Sequence, residues 1–354
     1  MASRAVVVAA LVVARLVADR PGASASSRGA ARSGLLAWDA QWYERIAAVG
    51  YGGAGREALR FFPLLPLAAR ALALAPGIGD GTALLIIANA AAFVALALLY
   101  LLARYETKDE QAARRAPWFL ALFPAGFVLV MGYAGSLLLV TSLVMFLCLR
   151  TGRFAWAGLA GLLAGLCRPV GLLLAVPALV EAARGYGGTM GGDRLRRTVA
   201  VIGAPAGTAV YLTWSKVHDG SFLLPFREQV SPANRGGIAD PLATIERDLS
   251  DLVHLRHIGT GLHAPWALVL VLLALVVLRR WPACYGAYAV VTLAVALTAP
   301  NLTSLERYGL GCFPFILAIT SLTGRPAVRW TVLAVSTALL VGYSMLAFLG
   351  SYVP

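Results

Sequence analysis

The feature that most constrains this chain is the recurrence of apolar runs, several near the ~20 residues needed to cross ~30 Å of hydrocarbon, joined by short arginine-rich connections. Of 354 residues, 59% are hydrophobic and only 13% are charged. That balance leaves too little polar surface to cover a soluble core. The sequence therefore predicts an all-α, polytopic transmembrane bundle forming a single integral membrane domain over residues 1–354.

A net charge of +13 invites a nucleic-acid reading, and the positions of the bases exclude it. They cluster between apolar runs, as Arg104, Lys108, Arg114 and Arg115, then Arg150 and Arg153, then Arg184, Arg194, Arg196 and Arg197. Arg279 with Arg280 and Arg325 with Arg329 continue the series. Every second connection is short and basic, which is the pattern of cytoplasmic loops under the positive-inside rule. The charge is an orientation signal, with the N-terminus cytoplasmic. The Ala, Arg and Gly bias points to a GC-rich bacterial genome, and hence to the bacterial plasma membrane. Residues 1–27 imitate a signal peptide, but Arg15 interrupts the run and many spans follow, so the segment is expected to stay as a first span.

Length and arginine asymmetry give about eleven expected spans. They lie near 4–19, 81–103, 116–132, 135–150, 154–168, 169–184, 198–217, 263–280, 281–299, 308–323 and 330–350. The pair 154–168 and 169–184 is short enough to be re-entrant or tilted, which would bring Arg168-Pro169 to the outer boundary. Extracytoplasmic loops are expected at about 20–80 and 218–262.

The first of these loops carries Trp38-Asp39-Ala40-Gln41-Trp42-Tyr43-Glu44-Arg45-Ile46. As a helix, it groups Asp39 with Trp42, Tyr43, Ile46 and Gly50 on one face. An interfacial helix normally turns carboxylates to water and aromatics to lipid, so a carboxylate inside the aromatic stripe is costly. Other ionisable groups near the same boundary are Arg168, Arg227, Glu228, Glu306 and Arg307, with Tyr43, Tyr133, Gln229 and Tyr308 as neutral partners. Such groups mark functional sites in membrane proteins. One carboxylate with several arginines suits a reaction that expels a phosphate. The carboxylate takes a proton from an acceptor hydroxyl, and guanidinium forks hold the phosphate.

No metal or cofactor is expected. Cys148, Cys167, Cys284 and Cys312 lack metal-ligand spacing and read as packing residues. His254-x-x-His257 has a spacing that a helix could use for a metal, but no carboxylate motif accompanies it.

The stretch Trp38 to Tyr43, then Ile46-Ala47 and Gly50-Tyr51, followed by Phe61-Phe62-Pro63-Leu64-Leu65-Pro66-Leu67, resembles the paired signature of the PIG-V-type mannosyltransferases. That family adds the second mannose to GPI anchors in eukaryotes and has many bacterial relatives, actinobacterial ones among them. Arg15, Arg168-Pro169-x-Gly171 and Arg307-Tyr308 ahead of Phe313-Pro314 also fit its layout. The resemblance implies a GT-C fold and transfer of mannose, or another hexose, with inversion. The donor it implies is a polyprenyl-phosphate sugar, the acceptor an extracytoplasmic glycolipid or glycan. It makes Asp39 the catalytic base. Arg168 and Arg307 would hold the donor phosphate, Tyr43 and Trp42 would shape the pocket, and Arg227 would assist.

Two positions depart from the family pattern. Tyr133-Ala134-Gly135-Ser136-Leu137 has Gly135 where the family carries an acidic residue, and Pro225-Phe226-Arg227-Glu228-Gln229 runs into Ser231-Pro232 rather than a tryptophan. The alternatives left open are a transporter or lipid flippase, with charges near the bilayer midplane and inverted halves, and a non-catalytic relative of the family.

Overall fold

The computed structural model describes residues 2–352 apart from 185, 189, 232–233, 255 and 257–260, so His257 and Pro232 lie outside the described residues. Among the described residues the chain is helical throughout and contains no strand. The first half comprises α1 (Ala2–Ala18), α2 (Ala25–Ser33), α3 (Asp39–Ala54), α4 (Leu64–Leu72), α5 (Asp80–Thr107), α6 (Glu110–Ala121), α7 (Gly135–Arg150) and α8 (Phe154–Cys167). The second half comprises α9 (Ala175–Ala183), α10 (Gly191–Asp219), α11 (Leu224–Gln229), α12 (Pro241–Val253), α13 (Ala264–Arg280), α14 (Ala283–Leu297), α15 (Leu305–Gly311), α16 (Pro314–Leu322) and α17 (Pro326–Phe348). Two of them, α5 and α17, are long and apolar enough to cross a membrane.

Helical segments cover the eleven apolar stretches expected as spans, and three of those stretches are broken. Span 116–132 is α6 followed by a 3-10 segment at Pro124–Leu129. Span 169–184 is a 3-10 segment at Pro169–Leu174 followed by α9. Span 308–323 splits into α15 and α16 at Cys312 (φ −90°, ψ 78°), just ahead of Phe313-Pro314. The cause is common to the three. Each has a proline, without an N–H to donate, at the start of its 3-10 segment or, in the third, of α16. Proline also biases the residue before it away from the helix, which is non-helical at Phe123 (ψ 143°) and Arg168, whereas Phe313 before Pro314 stays helical. At Pro169 the bias leaves Arg168 fully extended (φ −158°, ψ 155°), so its side chain departs from the end of α8 instead of following the helix face.

The closest helix pair is α8 with α10, which meet through small residues. A Cβ added to Gly203 would overlap the carbonyl of Gly158, one on Gly165 the carbonyl of Ala204, and one on Gly207 the carbonyl of Leu162. Small residues at these positions let the two backbones approach closely, the kind of packing that helices also use where lipid surrounds them. Gly203→Leu is expected to force the helices apart. The cost is about 1–3 kcal/mol, measurable as a fall in the thermal midpoint of the detergent-solubilised protein.

Far from the first loop, Arg150 at the end of α7 ties three other helices. Its Nε donates to Glu106 Oε1 of α5 at 2.7 Å and its Nη1 to Glu181 Oε1 of α9 at 2.9 Å. The hydroxyl of Tyr285 on α14 donates to the same Glu106 oxygen at 3.1 Å, and Arg184 meets the second oxygen of Glu181 at 3.4 Å. At the opposite end Gly81, at the start of α5, packs against Glu44 and Leu36. The last turn of α17 meets the first loop there too, where the Trp38 indole donates to Ala347 O at 3.0 Å.

Candidate active site

Asp39 opens α3, so its position depends on the turn before it. Trp38 has φ 60° and ψ −128°, a combination that L-residues other than glycine rarely adopt. Holding it costs about 1–3 kcal/mol, offset in part by the indole bond to α17. Tyr133 adds a second restraint, its hydroxyl accepting the Asp39 amide at 3.3 Å.

The Asp39 side chain does not cap its own helix. Its Oδ2 accepts from Arg307 Nη1 at 2.6 Å across 268 positions, and the Arg307 guanidinium also lies over the Tyr133 ring at 5.6 Å. Arg307 sits in α15, whose entry is a second left-handed residue, Ser304 (φ 68°). Among the described residues, Asp39 Oδ1 accepts no hydrogen bond and Arg307 Nε is buried without a partner.

Three adjoining cavities meet at Arg307 and Tyr308. A wide polar mouth is walled by Trp38, Asp39, Trp42, Gln229, Asn234 and Arg235. Beneath it, a central chamber takes in Asp39 and Tyr43 together with Arg60, Arg168, Arg235 and Arg307. Four guanidiniums against one carboxylate leave the chamber with three excess positive charges. Beyond Arg168 and Arg307 the space narrows to an apolar slot lined by Val128, Leu129, Leu138, Leu139, Val170 and Leu310. Gly135 opens on this slot, and a Cβ there would meet nothing within 4 Å, so the position that departs from the family pattern adds room instead of a charge.

Aromatic packing sets the chamber wall. Trp42 stacks on Phe61 (centroids 5.9 Å apart), Tyr43 meets the same ring edge-on at 5.1 Å, and Arg60 lies over it at 4.6 Å. Burial, reinforced by the Asp39 charge and opposed by Arg168, holds the Tyr43 hydroxyl well above the usual phenol range. Tyr43 is therefore held as a neutral phenol, able to donate a hydrogen bond. The Arg235 guanidinium lies over Tyr308 at 5.7 Å and donates to the carbonyl of Val295.

The structure brings together Asp39, Trp42, Tyr43, Arg168 and Arg307. Arg227 lies apart from these. It is exposed on α11 and lines none of the three cavities, because the short helix turns Gln229 inward instead. Glu228 pairs with Arg56 at 3.7 Å. Glu306 is wholly buried and binds His263 Nδ1 at 2.6 Å and the Tyr352 hydroxyl at 2.8 Å, leaving its neighbour Arg307 to Asp39. Arg60 and Arg235 were not anticipated as site residues. Arg60 carried a signal, since it immediately precedes the Phe61-Phe62-Pro63 motif. Arg235 carried none beyond its place in the second long loop. No group of metal-ligating side chains occurs among the described residues.

No family model matches the chain, and neither a curated protein nor a solved structure does.

Proposed function

We propose that this chain is a polytopic GT-C-type glycosyltransferase of the bacterial plasma membrane, working at its extracytoplasmic face. It moves a hexose, mannose by the resemblance of its motifs, from a polyprenyl-phosphate donor to a hydroxyl of a glycolipid or glycan. The observation that carries this reading is the juxtaposition of the Asp39–Arg307 pair with three further arginines and an apolar slot. A half-buried chamber with three excess positive charges favours an anionic ligand, because each unpaired guanidinium is costly to desolvate. The slot suits the first units of an isoprenoid chain.

The chemistry follows as a single displacement. The acceptor oxygen attacks the anomeric carbon as the bond from that carbon to the phosphate oxygen breaks. The electron pair leaves with the phosphate, where Arg168, Arg60 and Arg235 stabilise the charge. The hydroxyl proton passes to Asp39 Oδ1. The donor phosphate also competes with Asp39 for Arg307, so binding the donor frees the carboxylate for its task. Asp39 is engaged by Arg307 in the unliganded chain, and this favours one second reading, a family relative that binds the lipid without transfer.

Purified full-length protein given radiolabelled polyprenyl-phosphate-mannose and total membrane lipid is expected to yield labelled glycolipid. Binding of the donor without transfer would support the second reading, and absence of both would overturn the proposal. Arg168→Gln is expected to raise the donor KM by roughly tenfold to a hundredfold, the worth of charge-assisted hydrogen bonds, with little change in the KM for acceptor. Equal effects on both substrates would remove Arg168 from the donor site.

A further inference from the structure

A large apolar groove lies outside the candidate site. It lies between α6 and α17 and is bounded by Trp118, Phe119 and Leu122 on one side and by Trp330, Leu333 and Val341 on the other. Its floor is fixed where Ser336 Oγ donates to Leu122 O at 2.8 Å. One end is basic. Arg114, Arg115 and Arg329 line it, and no acidic side chain does. Arg114 is answered by Glu110 at 2.8 Å, and Arg115 only distantly by Asp109 at 4.0 Å. Arg115 Nε is buried without a partner, and Arg329 forms no ion pair among the described residues.

The basic end faces away from Asp39. Arg329 is near the start of α17, whereas Trp38 bonds Ala347 in its last turn, so about 27 Å of helix separates them. From Trp330 to Val341 the groove follows α17 for about 16 Å, close to half of a ~30 Å hydrocarbon layer. Trp118 and Trp330 are both well exposed beside the arginines, as side chains at a membrane interface are. A groove one leaflet deep, open along its length, apolar along its wall and cationic at its interfacial end matches a lipid with a charged headgroup.

We infer that this groove binds an anionic glycerophospholipid of the leaflet opposite the active site, its phosphate on Arg115 and Arg329 and an acyl chain along α17. The inference rests on the membrane-embedded reading given above. In that topology the occupied leaflet is the cytoplasmic one, where the connections carry the positive charge.

Brominated lipids quench tryptophan fluorescence on contact, which makes Trp118 and Trp330 reporters. The full chain in nanodiscs of unlabelled lipid is titrated with dibrominated phosphatidylglycerol or dibrominated phosphatidylcholine. The expected result is a preference for phosphatidylglycerol on the order of tenfold. Arg115→Gln combined with Arg329→Gln should abolish that preference while leaving quenching by phosphatidylcholine unchanged. Ala338→Phe fills the chain-binding part without touching a charge or adding a tryptophan, and should abolish the preference as well. Equal quenching by the two lipids in the unaltered chain overturns the site. So does a preference that survives Ala338→Phe, which would assign it to surface charge alone. Release of the chain from membranes by alkaline carbonate would overturn the membrane reading and this site together. Retention without lipid preference removes only the site.

Discussion

Asp39→Asn is expected to lower the rate of sugar transfer by about 10² to 10⁴-fold, the usual worth of a positioned general base, while the donor KM falls, because a neutral amide competes less with the phosphate for Arg307. Asparagine keeps the shape of aspartate and offers a carbonyl oxygen where Oδ2 now accepts from Arg307 at 2.6 Å, so the guanidinium can stay in position. What disappears is the capacity to take up a proton. The two roles open to Asp39 therefore separate cleanly. If Asp39 only orients Arg307, the asparagine variant should lose little rate, and Arg307→Gln should be the more damaging change. If Asp39 is the base, kcat collapses, and a strongly nucleophilic acceptor that needs no proton removed recovers much of it. Near-normal transfer by a folded, membrane-inserted Asp39→Asn protein would sink the assignment.

The largest effect on stability is expected at the other end of the bundle. Arg150→Met leaves the carboxylates of Glu106 and Glu181 facing each other in a site where they are 7% and 11% exposed. Breaking a buried ion pair from one side costs about 3–5 kcal/mol. The lower figure is the appropriate one, because Arg150 itself is 19% exposed and water can reach the vacated site. Removing the facing carboxylates should restore stability. The triple variant with Glu106→Gln and Glu181→Gln is expected to recover most of the loss, since the two glutamines can bond each other and Tyr285, and Arg184, 56% exposed, is left to solvent. Thermal midpoints of the two proteins in one detergent check this. A triple variant no more stable than Arg150→Met would mean that the guanidinium acts through packing and not through its charge.

How far the sequence reached can be judged from these same residues. Runs such as 135–150 and 154–167 were legible because an apolar stretch ends at Thr151-Gly152-Arg153, where Gly152 takes up φ 74° and reverses the chain. The breaks at Pro124 and Pro314 were visible as letters, but apolar runs read straight through them, whereas Pro169 was read as a boundary between two runs. Hydropathy measures burial and not hydrogen-bond continuity. Asp39 stood out by its position among aromatics. Its partner could not, since 268 residues separate it from Arg307 and only tertiary packing joins them. Arginines in loops look solvated from sequence, so Arg60 and Arg235 passed unnoticed while Arg227 was favoured for its motif. Arg150 looked like an orientation signal, and its ion-pair network with Glu106, Glu181 and Arg184 could be seen only after folding.

The indole bond from Trp38 to Ala347 has a consequence for how the protein is made. Residues 38 and 39 leave the ribosome early, yet the backbone that holds Asp39 is braced by a carbonyl made 309 residues later. At roughly 5–20 residues per second the delay is on the order of 15–60 s. For that interval the Trp38 turn lacks its α17 support, although Tyr133 and Arg307, made earlier, can already meet Asp39. A chain halted before α17 would carry every residue of the chamber with this brace missing. The turn that presents Asp39 is therefore finished only when α17 has been made.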